Sequence, residues 1–203
     1  MKLNYIPLLT ILLIGVVLIS GCVQQNETLS GTEQITQPTE SQKTTSIPET
    51  TSNLYKNNVY GFSVEYPKNW EIKESINVEG ITAIVAFMGP AKNNFQPNIN
   101  VKTENAPSYT LNQYIQASKQ TLSQFFAMND YILIDEGGLT ISGQNSYFLE
   151  YAYNLQGYPL KIKQVVLMKG DNAYIITYTA LQNTFEDNVR DFDNSISTFK
   201  FTK

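Results

Sequence analysis

The chain has no histidine and only one cysteine and one tryptophan in 203 residues. Without histidine it lacks the one side chain whose unperturbed pKa lies near neutrality, the commonest general base and the commonest transition-metal ligand. A single cysteine, Cys22, cannot make an internal bridge, so a disulfide framework is excluded. Basic residues are also sparse. Fourteen Lys and Arg against 18 Asp and Glu leave a formal charge of −4, and apart from Lys161 and Lys163 the cations are scattered singly. Nucleic-acid binding needs Lys and Arg massed on one face to displace counterions, so no nucleic-acid partner is expected. Length is not lacking: a folded part of about 150 residues buries roughly 70% of its unfolded surface, enough for a core without cross-links.

Only one long apolar run is present. It extends from Ile6 to Ile19, fourteen residues broken only by Pro7, Thr10 and Gly15, and follows the positive charge of Lys2. That is short for a bilayer span of about 20 residues and typical of the apolar part of a signal peptide. The small pair Ser20-Gly21 directly before Cys22 resembles the lipobox of secreted lipoproteins. The resemblance implies that residues 1–21 are a signal peptide, that cleavage frees the amino group of Cys22, and that lipid is attached to its sulfur. The other reading is an uncleaved anchor from Tyr5 to Val23. Either way the rest of the chain is expected at the cell membrane, facing outside the cytoplasm. One lipid chain would hold it weakly and two or more stably.

Residues 23–53 are almost all Thr, Ser, Gln, Glu, Asn and Pro, with too little apolar surface to offset the entropy of ordering them. We read 22–53 as a lipidated Cys22 followed by a disordered tether, which by coil scaling would hold the domain roughly 30 Å from the membrane. Asn26-Glu27-Thr28 fits a glycosylation acceptor, and the Thr/Ser/Pro richness fits an O-glycosylated stalk.

The folded domain is expected over 54–203. Tyr60, Phe62, Val64 and Tyr66 alternate with Gly61, Ser63 and Glu65, the period of a half-buried strand. After a turn at Pro67-Lys68-Asn69, Trp70 and Ile72 resume an extended run. "ITAIVAF" at 81–87 is apolar on both faces and reads as a central, doubly covered strand, and "NINVKTE" follows Pro97 as another. From Thr110 to Met128 the period changes: Leu111, Tyr114, Ile115, Leu122, Phe125 and Phe126 fall on one helical face, and Thr110 with Gln113 forms a capping box. Strands then return as hairpins around Ser142 to Asn145, Gln156-Gly157 and Lys169 to Asn172, which predicts an antiparallel meander. Phe185, Val189, Phe192 and Ile196 make Asn183 to Ser197 an amphipathic helix. The fold class is therefore α+β: an antiparallel sheet of about seven strands covered by amphipathic helices.

"YGFSVEYPKNWEI" near the start, "KIKQVVLMKGDNAYIITYTA" in the late hairpin, and the last helix with "STFKF" resemble the PsbP-type domain over residues 55–202. These motifs are structural. The resemblance implies an α/β/α sandwich and a binding or assembly module, of a kind also found in prokaryotic lipoproteins that join a lipobox, a polar tether and one such domain. It does not imply photosynthesis, and no metal-binding residue of the family matches a position here.

Catalysis finds little support. With no histidine, only a Ser-Lys arrangement remains, and Ser118 and Lys119, adjacent on a helix, point in different directions. Asp135-Glu136 before Gly137-Gly138 offers oxygens to a calcium ion but lacks the alternating carboxylates of a dedicated loop, so solvated turn charges are the simpler reading. Glu186, Asp187, Asp191 and Asp193 make the last helix negative, either as complements to its dipole or as a docking face for a basic partner. Tyr147, Tyr151 and Tyr153 share one strand face, either as an interaction surface or as a wall beneath a helix. No cofactor is expected. The sequence is best read as a non-catalytic, membrane-anchored lipoprotein that binds or stabilises a protein partner or membrane complex; the alternative is a small-ligand or cation-binding lipoprotein.

Overall fold

The computed structural model describes residues 52–78 and 81–202, so the apolar run, Cys22, Asn26 and the tether up to residue 51 lie outside the described residues. Among the described residues, ten strands and two α-helices follow in order: β1 Ser52–Asn57, β2 Phe62–Pro67, β3 Glu71–Val78, β4 Ile81–Met88, β5 Asn98–Asn105, α1 Leu111–Phe125, β6 Ile132–Ile141, β7 Gln144–Leu155, β8 Tyr158–Lys169, β9 Asn172–Leu181, α2 Phe185–Thr198 and β10 Lys200–Phe201. β1 opens at Ser52, on the last two residues that composition assigned to the tether.

Seven strands form an antiparallel sheet in the order β3-β4-β5-β9-β8-β7-β6, and β1-β2-β10 form a second, three-stranded sheet. α1 packs on β7 and β8. The opposite face is covered by α2, which lies against β9 and β2, together with the small sheet. Two apolar clusters result. Phe62, Phe87, Tyr178, Phe192 and Phe199 centre the one beneath α2, and Tyr114, Leu122, Phe126, Tyr151 and Tyr153 centre the one beneath α1.

The expected meander is present as β6 to β9. Its first two turns, Ser142-Gly143 and Gln156-Gly157, have positive φ at both residues, the two-residue geometry whose twist matches the flanking strands. β4 is buried from Ala83 to Met88 as its pattern predicts, yet it lies second from the edge. The central strand is β9, because the meander folds back to pair β9 with β5 along eight residues. That pairing is non-local, and no local pattern encodes it.

α1 begins as expected. The Thr110 hydroxyl accepts the Gln113 N–H at 3.3 Å and the Gln113 side chain accepts the Thr110 N–H at 2.9 Å, satisfying donors that the first turn leaves free. The helix stops at Phe125, three residues short of Met128. Only one of the neighbouring phenylalanines can face the sheet: Phe126 is buried and stacks on Tyr153 at 3.9 Å, whereas Phe125 is half exposed. A buried ion pair fastens the start of α1 to the sheet. Lys102 Nζ lies 2.5 Å from Glu104 Oε1, and the Tyr114 hydroxyl donates to Glu104 Oε2 at 2.6 Å. At the other end of the molecule Gly89 gives Trp70 its place, since a Cβ there would lie 2.9 Å from the indole.

Candidate functional site

The seam between α1 and the edge strand β6 gathers the surface features that a helix-on-sheet layer does not require. At its middle, Lys119 Nζ lies 2.5 Å from Glu136 Oε1, and the Tyr147 hydroxyl donates to Glu136 Oε2 at 3.2 Å. Burial first, and then the Glu136 charge, raise the Tyr147 pKa, so the hydroxyl stays protonated as a donor. On one side of this bridge an open groove of about 540 Å³ runs past Leu111, Gly138, Leu139 and Tyr147. On the other side a second groove of about 630 Å³ is bounded by Gln116, Gln120, Tyr131 and Leu133. Along the chain from the end of α1 into β6, Phe125, Met128, Ile132 and Ile134 are 47 to 97% exposed, four large apolar side chains within ten consecutive residues.

β6 owes its shape to a bulge. The register slips between Leu133 and Asp135, so Ile134 is the extra residue, and Asp135 turns back to accept the Glu136 N–H at 2.9 Å. Leu133, Glu136, Gly138 and Thr140, which pair with Tyr151, Leu149, Tyr147 and Asn145, then lie on the α1 face. Gly138 leaves that face open, with nothing within 4 Å of where its Cβ would stand.

The tyrosine face divides. Tyr151 and Tyr153 are buried at 0 and 1% exposure under the end of α1, so they form a wall beneath the helix and present no surface. Burial drives the Tyr151 pKa well above the ordinary tyrosine range. Only Tyr147 reaches a groove.

The negative face of α2 is largely compensated. Lys161 pairs with Glu186 at 3.2 Å, Lys92 with Asp187 at 2.7 Å and Lys163 with Asp193 at 2.7 Å. All three cations come from outside the helix, brought up by folding, which the sequence spacing could not show. Asp191 pairs with no cation among the described residues. It lines a cleft of about 290 Å³ with Glu65, Ser195 and Thr198, and burial raises its carboxyl pKa. Within that cleft Glu65 already accepts the Ser52 hydroxyl at 2.5 Å.

The remaining chemical candidates are engaged. The Ser118 hydroxyl is buried and donates to the Tyr114 carbonyl at 2.8 Å, and Lys119 is held by Glu136, so the two do not meet. Asp135 is exposed and Glu136 points to Lys119, and among the described residues no group of three or more Cys, Asp or Glu side chains converges as for a metal ion. Nor, among these residues, is any helix long and apolar enough to cross a membrane. The seam itself was missed by pattern reading. Its signals were the uncharged "GGLTI" at the end of β6 and the surplus of large apolar residues between Phe125 and Ile134.

The family model described as PsbP-like protein matches residues 6–201. The solution structure of cyanobacterial PsbP from Synechocystis sp. PCC 6803 is similar with a TM-score of 0.58 at 17% identity, over 76% of this chain and 95% of that one. LpqN of Mycobacterium tuberculosis, involved in cell envelope biogenesis, is similar with a TM-score of 0.57 at 13% identity, over 70% and 83% of the two chains. A Pseudomonas aeruginosa protein of unknown function, described as a putative regulator, gives 0.53 at 17% identity, over 72% and 94%. These likenesses establish a shared fold. No curated protein matches the sequence.

Proposed function

The chain belongs to the PsbP-like protein family, and from that premise we propose that it is a membrane-anchored extracytoplasmic lipoprotein whose non-catalytic domain binds or stabilises a protein partner or a membrane complex. The exposed apolar run Phe125, Met128, Ile132 and Ile134 beside the β6 edge carries this reading. Large apolar side chains left exposed close together in the chain mark a surface for interaction, because leaving them in water costs free energy that a partner recovers. The engagement of Ser118 and Lys119 by other groups supports a non-catalytic role. Anchoring rests on the lipobox at Cys22, and the envelope role of LpqN agrees with an extracytoplasmic location.

The test is capture from its own membranes by the intact chain in mild detergent, read by mass spectrometry and compared with Ile134→Lys. A partner retained reproducibly by the wild type and lost by the variant, with unchanged thermal unfolding, is expected. If neither retains one, the partner reading is wrong. A second reading, binding of a small ligand or cation, is favoured by Asp191, which meets no cation among the described residues, in its polar cleft. Native mass spectrometry of the intact chain would then find a co-purifying ligand that Asp191→Ala loses.

A further inference from the structure

We propose that the free edge of β6 binds an extended segment of a partner protein as an added antiparallel strand, with apolar side chains four residues apart seated in the two grooves and a cationic side chain between them facing Asp135. This rests on the partner-binding reading above and specifies its geometry.

Sheet edges expose unpaired N–H and C=O groups, and proteins ordinarily guard them with charge, proline or brevity. The other edges here follow that rule. β3 carries Glu71, Lys73 and Glu74 in its first four residues; β1 has six residues and carries Lys56, and β10 has only two and carries Lys200. β6 is different. It is ten residues long, lies at the end of the seven-stranded sheet, and from Gly137 to Ile141 has neither charge nor proline. Its bulge at Ile134 is the only interruption of its ladder, and it falls just inside the span from Leu133 to Gly138, next to Leu133, leaving the edge from Asp135 onward regular.

The spacing of the grooves gives the pattern of the ligand. Leu133 borders one groove and Gly138 the other; they pair with Tyr151 and Tyr147, four rungs apart on β7. Side chains alternate along a strand, so an added strand in register would send residues four apart to the same α1 face, one into each groove. The residue between them meets Glu136, whose charge Lys119 already neutralises, and should be polar but uncharged. The residue next to it faces the opposite side of the sheet, where Asp135 is exposed and pairs with no cation among the described residues; there a Lys or Arg fits. Main-chain hydrogen bonds would supply affinity and the two grooves selectivity, the division seen wherever a peptide augments a sheet. The antiparallel sense continues that of the sheet, all of whose ladders are antiparallel.

The test uses the full-length chain in detergent micelles and a phage-displayed library of random nine-residue peptides. Enriched peptides should share two apolar residues four apart with Lys or Arg adjoining the second, and should slow hydrogen exchange within residues 132–141. Two variants spare the fold: Gly138→Leu extends into the groove from a Cβ position with nothing within 4 Å, and Asp135→Asn removes the charge while keeping a side-chain oxygen for the Glu136 N–H. Each should weaken the selected peptides by about tenfold or more. No enrichment, peptides without this pattern, protection elsewhere, or unchanged affinity in both variants would overturn the proposal. So would dimerisation of the chain through β6, which would assign the edge to a second copy. If the partner captured from membranes is held equally well by Gly138→Leu, the edge assignment fails while the binding-module reading stands; if the wild type captures nothing, that reading itself fails.

Discussion

At the scale of single residues, Asp191 shows how burial acts on a charge, and Glu104 shows what a buried partner does. Burial raises the Asp191 carboxyl pKa above its ordinary 3.8, so the folded chain holds this proton more tightly than the unfolded chain does. Stability therefore falls as pH rises from that value through the raised one, and at neutral pH the ionised group is a cost. Asp191→Asn should be more stable than the wild type at pH 7, with the advantage fading at and below about pH 4. Urea unfolding at both pH values checks this, and an advantage of equal size at both would refute it. Glu104, by contrast, has a counter-charge beside it. It faces Lys102 in the sheet at 2.5 Å, with both side chains nearly buried. Glu104→Gln leaves that ammonium without its counter-charge and should lower the unfolding free energy by about 3 kcal/mol, since breaking one partner of a buried pair strands the other. A loss far smaller than that in guanidinium titration would mean that Lys102 reaches water. Neither member of this pair could be singled out from sequence. Lys102 and Glu104 read as ordinary alternate positions on a strand, and only the covering α1, through Tyr114, makes their face an interior one.

At the scale of elements, much was legible because the signals are local. The Thr110 and Gln113 capping box lies within one turn of chain and forms as read. Thr110→Ala should cost about 1 kcal/mol, the usual loss when an N-cap side chain is removed, and lower the thermal midpoint by roughly 2–4 °C. A change within error in calorimetry would show that water serves those N–H groups equally well. The hairpin turns were legible for the same reason, since Gly143, Gly157 and Gly170 supply positive φ at little steric cost. The end of α1 was not. Leu122, Phe125 and Phe126 all suit one helical stripe, and only the position of Tyr153 decides that Phe126 turns inward and Phe125 stays in water. β10, two residues long, has no period to read.

At the scale of the molecule, anchoring and partner binding meet. If lipid on Cys22 holds the chain, metabolic labelling with a tagged fatty acid or isoprenoid should mark the wild type, and Cys22→Ser should be unmarked and pass into the soluble fraction. Labelled variant protein would overturn the lipobox reading. An unlabelled variant that stays in the membrane would show that the apolar run from Ile6 to Ile19 is an uncleaved anchor. The domain would still face outward, with two helices on opposite faces of one sheet and the β6 edge left between α1 and solvent.

The sequence by itself determined the α+β class, the meander, both amphipathic helices and the family, because each rests on periods and turns within a few residues of one another. It also placed Tyr147, Tyr151 and Tyr153 on one face, since alternation along a strand is a local property. Only the tertiary structure decided which face was covered. It buried Tyr151 and Tyr153 beneath α1, brought Lys92, Lys161 and Lys163 to the acids of α2, placed β9 rather than β4 at the centre, and left β6 at the rim. Those outcomes depend on contacts between residues far apart in the chain, chosen by how layers pack, and a local pattern holds no record of that choice.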